Sequence, residues 1–183
     1  IEVAAGRYLW AIYAEGKAVH IIGTEGPEST WIYATPGQPA VVAKQGEGRN
    51  GILEGFTVTG GGGALEPVVD QSCTSLTLRD VHFTGNAGRV VVYARSAIVT
   101  LDRVEITADN VAYDGWVIEG RRGMVAVKDS TIACGSAGVG YLMEHGAAFL
   151  DGNRFDCPGA AAAQIFHSNG RVQRTVFDGH LYV

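Results

Sequence analysis

From residue 51 onward the chain repeats itself. An aliphatic residue, a short polar stretch, an apolar or aromatic residue and then a small one recur in order. The instances begin at Leu53, Leu78, Leu101, Val127, Leu150 and Val172, and their second apolar positions are Val58, Phe83, Ile106, Ile132, Phe155 and Phe177. The leading positions are separated by 25, 23, 26, 23 and 22 residues. A period near this size matches three short strands and three turns, and the variation falls in the turns, where insertion is tolerated best. Leucine-rich repeats have a similar period, but their asparagine-marked pattern is absent, and the Gly-punctuated units leave no room for helix-length segments.

A second apolar burst recurs between these motifs as Val41-Val42, Val68-Val69, Val91-Val92, Val117-Ile118, Leu142-Met143 and Ile165-Phe166. It supplies another strand per coil. The expected fold is all-β: a right-handed parallel β-helix of about seven coils with three short strands in each. It forms a single domain over residues 1–183. Glycine, at 26 of 183 residues, is about twice its usual share and fits a chain of many tight turns. The sequence opens on Ile1 and stops inside a strand-like segment at Tyr182-Val183, so we expect a fragment of a longer chain; no signal peptide is visible.

The opening order is Val3, Gly6, Tyr8, Ile21-Ile22-Gly23, Gly26-Pro27 and Thr30-Trp31-Ile32. With the coil repeat, it resembles the pectate-lyase-like superfamily, and its start is similar to that of pectin methylesterases and the periplasmic copper-site maturation family. The resemblance implies a β-helix and favours a secreted or cell-surface setting. It implies no particular activity, because one fold hosts many. The catalytic motifs of its enzymes are missing: there is no WIDH-like stretch (Trp116-Val117-Ile118-Glu119 is a distant echo), no NTDG or GHG segment and no QDT.

Stacked coils turn linear motifs into columns about 4.8 Å apart. Val58 to Phe177 reads as an inward core column. The residue after each leading aliphatic reads Glu54, Arg79, Asp102, Lys128, Asp151 and Gln173, an outward column of alternating sign that keeps like charges apart. The residue after each apolar doublet reads Ala43, Asp70, Tyr93, Glu119, Glu144 and His167, with Arg95 and Arg121 two positions beyond Tyr93 and Glu119. We take Asp70, Tyr93, Arg95, Glu119, Arg121, Glu144 and His167 as the candidate binding set, and Glu119, Glu144 and His167 as catalytic candidates if the protein is an enzyme. With these charges outward, Val68, Val91, Val117, Leu142 and Ile165 would form an exposed aliphatic stripe, which predicts a covering protein partner or second copy. Glu144 and His145 are adjacent, so their side chains should face opposite ways.

Cys134 and Cys157 hold equivalent places in adjacent coils. That spacing permits a disulfide, but small residues fill the position elsewhere (Gly60, Gly85, Ala108, Gly179), which favours two unbonded buried thiols. Cys73 has no matching partner. The five histidines and three cysteines show no metal spacing, and no cofactor is expected. A net charge of −5 argues against nucleic acid, and no apolar run is long enough to span a membrane. The loops are short, the longest being 60–66 and 109–115. Together these features favour a non-catalytic module binding a protein partner or glycan along one sheet. The alternative is a polysaccharide lyase or hydrolase using the same residues.

Overall fold

The structure, a computed structural model, describes residues 1–9, 11–46, 50–63 and 67–183. Among them every regular element is a β-strand, and every strand pairing is parallel. Three sheets run the length of the coil, which makes about seven turns. The first sheet stacks β1 (Glu2–Val3), β4 (His20–Gly23), the start of β7 (Ile52–Thr59), the start of β9 (Ser75–Phe83), β11 (Ile98–Asp102), β14 (Met124–Lys128), β17 (Ala147–Asp151) and β19 (Asn169–Gln173).

The second sheet stacks β2 (Gly6–Tyr8), β5 (Thr30–Tyr33), the ends of β7 and β9, β12 (Glu105–Thr107), β15 (Thr131–Ala133), the start of β18 (Arg154–Phe166) and the start of β20 (Val176–Tyr182). The third, which carries the candidate site, stacks β3 (Ile12–Tyr13), β6 (Val41–Ala43), β8 (Val69–Ser72), β10 (Ala87–Arg95), β13 (Asn110–Arg121) and β16 (Val139–Glu144), then the ends of β18 and β20. The loop at 60–66 lies partly outside the described residues, since 64–66 are not among them.

The core is the space enclosed by the three sheets. Val58, Phe83, Ile106, Ile132, Phe155 and Phe177 pair rung by rung as expected, and the Phe155 and Phe177 rings stack with centroids 5.2 Å apart. Buried Tyr141 donates its hydroxyl to the Val125 carbonyl at 3.1 Å, and burial pushes its ionisation upward. The alternating column also forms in register: Glu54, Arg79, Asp102, Lys128, Asp151, Gln173. Arg79 lies 3.5 Å from Glu54 and 3.2 Å from Asp102, and Gln173 donates to Asp151 at 2.6 Å.

At the corner from first to second sheet the backbone turns through a left-handed residue, which is Asp80, Arg103, Asp129 or Arg174 in four of the coils. Their side chains neutralise one another or the adjoining ladder: Arg103 donates to Asp80 at 2.7 and 2.8 Å, and Arg174 donates to Asp151 at 2.7 Å. That bond from Arg174 is the main reason Asp151 ionises below the usual carboxylate range; with the bond from Gln173 it outweighs desolvation.

Two expectations are corrected here. Cys134 and Cys157 are joined by a disulfide with Cα atoms 4.9 Å apart. Smallness at this column and bonding are compatible, because both side chains point inward on adjacent rungs. A methyl group on Gly140 would sit 2.9 Å from both sulfurs, so the rung beside the disulfide requires glycine. The aliphatic stripe is also not exposed: Val68, Val91, Val117, Leu142 and Ile165 are all buried within the single chain. Trp116 pairs with Val139 and Ile118 with Tyr141, so Val117 lies level with Gly140, inside the corner. Consecutive residues there turn inward together, which period-two counting does not anticipate.

Gln71 is fully buried, on the inward column between Ala43 and Ala94, and neither polar atom of its side chain has a hydrogen-bond partner among the described residues. Such an amide costs about 1–3 kcal/mol. Gln71→Met should therefore raise stability in urea unfolding by roughly 1 kcal/mol or more. Reducing the Cys134–Cys157 bond, or replacing both residues with Ala, should lower it by about 2–4 kcal/mol.

Candidate functional site

The outward columns of the third sheet form a shallow groove. Strand alternation sends Val69, Val92 and Ile118 inward and Asp70, Tyr93 and Glu119 outward, and these three pair in one column. Two residues along the strands, Ser72, Arg95 and Arg121 form the neighbouring outward column. On the other side Val90 pairs with Trp116. The resulting groove of about 490 Å³ is lined by Lys44, Gly63, Pro67, Asp70, Arg89, Val90, Tyr93, Trp116, Glu119 and Arg121.

The groove's charges are matched within it. Asp70 and Glu119 are each only 5% exposed. Asp70 forms an ion pair with Lys44. Arg121 donates to Glu119 at 2.5 Å and lies 3.5 Å from Glu144. Burial works against the charge on Arg121, but the hydrogen bond to Glu119 and the charges of Glu119 and Glu144 outweigh it and hold the guanidinium above its ordinary value. Arg89 lies over the Trp116 ring, 5.4 Å from its centroid, and pairs with Asp114 at 3.0 Å. The half-buried Trp116 is thereby held between strand and guanidinium.

Beyond Arg121 the groove continues into a second depression of about 390 Å³, lined by Tyr93, Arg95, Arg121, Arg122, Glu144 and His145. Tyr93 and Arg121 belong to both.

The seven candidate residues are thus all on or beside one face, but not in the columns expected. Asp70, Tyr93 and Glu119 align; the column then continues through Leu142 and Gln164. Glu144 pairs instead with Arg121, and Phe166 with Glu144. The alignment by apolar doublet is displaced by two residues at Glu144 and by three at His167, since Leu142 and Gln164 hold the places level with Glu119. There the inward positions level with Val117-Ile118 are Gly140-Tyr141 and Ala162-Ala163, so the visible aliphatic pairs Leu142-Met143 and Ile165-Phe166 belong further along the strand.

His167 is not in the Glu119 column either. It occupies the corner from third to first sheet, stacked on His145 with ring centroids 5.1 Å apart and planes 6° apart. Glu144 and His145 line the same depression rather than opposite faces, because His145 has a left-handed backbone, φ 54°, that reverses the alternation.

Lys44, Arg89, Trp116, Arg122 and His145 were missed. Lys44 escaped because Ala43, expected outward beside Asp70, is buried and pairs with inward Gln71, while Val42 pairs with Asp70. Arg89 and Trp116 escaped because the register between β10 and β13 shifts between Gly88 and Val90. Among the described residues no three His, Cys, Asp or Glu side chains converge on a point that would hold a metal ion, and no helix is long and apolar enough to cross a membrane.

No protein-family model matches the chain, and neither does any curated protein or solved structure. The likeness to pectate-lyase-like proteins rests on the coil pattern alone.

Removing Arg121 would strand the Glu119 carboxylate in a nearly closed position. Arg121→Met should cost about 1–3 kcal/mol, less than a fully buried pair because the guanidinium is itself part exposed. The double variant Glu119→Gln/Arg121→Met should recover most of that loss, and urea unfolding of the four-member cycle measures the coupling.

Proposed function

We propose that the third sheet is a glycan-binding surface and that the protein acts as a non-catalytic recognition module. The observation that carries this reading is the pairing of a partly exposed Trp116 and Tyr93 with planar polar groups already fixed by their own ion pairs. A sugar ring offers an apolar face of C–H groups and a rim of hydroxyls. Trp116 and Tyr93 supply flat apolar area at low entropic cost. Asp70 and Glu119 can accept from hydroxyls, and Arg121, Lys44 and Arg89 can donate to them. The groups stand on parallel strands, so little order has to be imposed on binding.

A protein partner or second copy is less well supported than the sequence suggested, since the aliphatic residues that called for a cover are already buried by the chain itself. The disulfide fits an oxidising compartment, in line with a secreted or cell-surface setting.

One observation favours hydrolysis as a second reading. Asp70 and Glu119 stand two rungs apart in one column, about 9.6 Å between backbones by the stacking distance, near the upper end of the carboxylate separation used by inverting glycosidases. Against it, both carboxylates are already engaged in ion pairs, Asp70 with Lys44 and Glu119 with Arg121, and each is nearly buried.

Binding of neutral and acidic oligosaccharides by calorimetry tests the proposal. At least one class should bind, and Trp116→Ala should weaken it about ten-fold or more without changing the melting temperature by more than a few degrees. Failure of every oligosaccharide to bind, or indifference to Trp116→Ala, would sink it. Release of reducing ends that stops in Asp70→Asn or Glu119→Gln would replace it with the hydrolytic reading.

A further inference from the structure

The corner from third to first sheet is built like the opposite one but left electrostatically open. In five successive coils its turn residue is Cys73, Ser96, Arg122, His145 and His167, all left-handed with φ of 54°, 51°, 56°, 54° and 48°. Non-glycine residues adopt this conformation at a cost, and such strain tends to be retained where the side chain has a use. At the first-to-second corner the use is visible: Arg103 and Arg174 are each bound to carboxylates within the same corner or the adjoining ladder.

Arg122 has no such partner. Neither it nor exposed Arg95 beside it lies within 4.0 Å of a carboxylate among the described residues, although the chain has 19 acidic residues against 14 basic ones. The depression they line holds three arginines and one glutamate, and that Glu144 is engaged by Arg121 at 3.5 Å. The parallel His145–His167 stack forms the far side of the corner.

We propose that this corner is an anion-binding subsite that takes a carboxylate or sulfate substituent of the glycan lying along the groove. The inference rests on the glycan reading above. Its chemistry is that of a guanidinium pair facing an oxyanion: Arg95 and Arg122 each offer a planar fork of N–H donors that can bind two oxygens at once. An imidazole adds an N–H donor. Tyr93 and Arg121, shared by both depressions, make the subsite continuous with the groove, so one sugar chain can reach both. Glu144 lines the same depression, and its charge is met by Arg121, which leaves Arg95 and Arg122 to face the substituent.

The test compares a neutral oligosaccharide with its carboxylated and sulfated counterparts, using the intact chain and the variant Arg95→Gln/Arg122→Gln. Both side chains are exposed, so the variant should melt like the parent. The acidic ligand should bind about ten-fold tighter than the neutral one. In the variant the ratio of acidic to neutral affinity should fall to about one, measured against the variant's own neutral binding. Whichever substituent shows the larger advantage identifies the source of the anion.

Equal affinity for neutral and acidic ligands would overturn the subsite and leave the glycan groove standing. If no oligosaccharide binds, the glycan reading falls, and titration with inorganic sulfate decides the corner alone. Saturable shifts of the His145 and His167 ring signals, lost in the double variant, would support it, and their absence would overturn it.

Discussion

Stacking of each coil on the one before it, in parallel register, is the constraint on which everything else in this molecule depends. Each residue sits above and below its equivalents, roughly 4.8 Å away. A residue's neighbours are therefore set by its place in the coil. Inward columns must be apolar and sized to fill a narrow interior, as Val58 to Phe177 are. Where two cysteines fall in one inward column they meet, and the Cys134–Cys157 bond is the result. Where a bulky group enters the interior, its neighbours shrink: Tyr141 and the disulfide are accompanied by Gly140, Ala162 and Ala163.

The same constraint governs charge. A column of like charges would stack repulsion on repulsion, so the outward face of the first sheet alternates sign from Glu54 to Asp151. The neighbouring corner couples Asp80 to Arg103 and Asp129 to Arg174 in the same way. Individually, such exposed pairs contribute little. Their regularity matters more, because it keeps the coils in one register and gives a standard for the rest of the surface. Against that standard the third sheet differs. Asp70 and Glu119 are nearly buried, Arg121 is shared across rungs, and the corner carries arginines and stacked histidines against a single carboxylate, Glu144, that Arg121 already engages.

Much of the fold was legible because the repeat is a statement about stacking. The leading aliphatics, the core aromatics and the charge ladder all paired as the spacing implied. The candidate site was legible in part. Asp70, Tyr93 and Glu119 lie in one column because their coils share the same apolar doublet. The reading failed at Glu144 and His167, where the doublet visible in the sequence was not the equivalent one: glycine and alanine occupied the inward positions and carried no hydrophobic signal. Trp116 and Arg89 escaped for a related reason, since the strand enters the sheet through a register shift that breaks alternation.

The sequence by itself determined a coil period, an inward set and an outward set for most strands, and hence a parallel β-helix, since local spacing and polarity are enough to specify which residues stack. Only the tertiary structure decided which outward residues share a groove, that Cys134 and Cys157 are bonded, and that His145 lies against His167 at a corner lined with arginine. Those facts depend on how many residues each corner absorbs and on left-handed turns that reverse a side chain's direction. Neither leaves a periodic trace in the sequence, because a corner can take in a residue or invert one without altering the polarity pattern of the strands it joins.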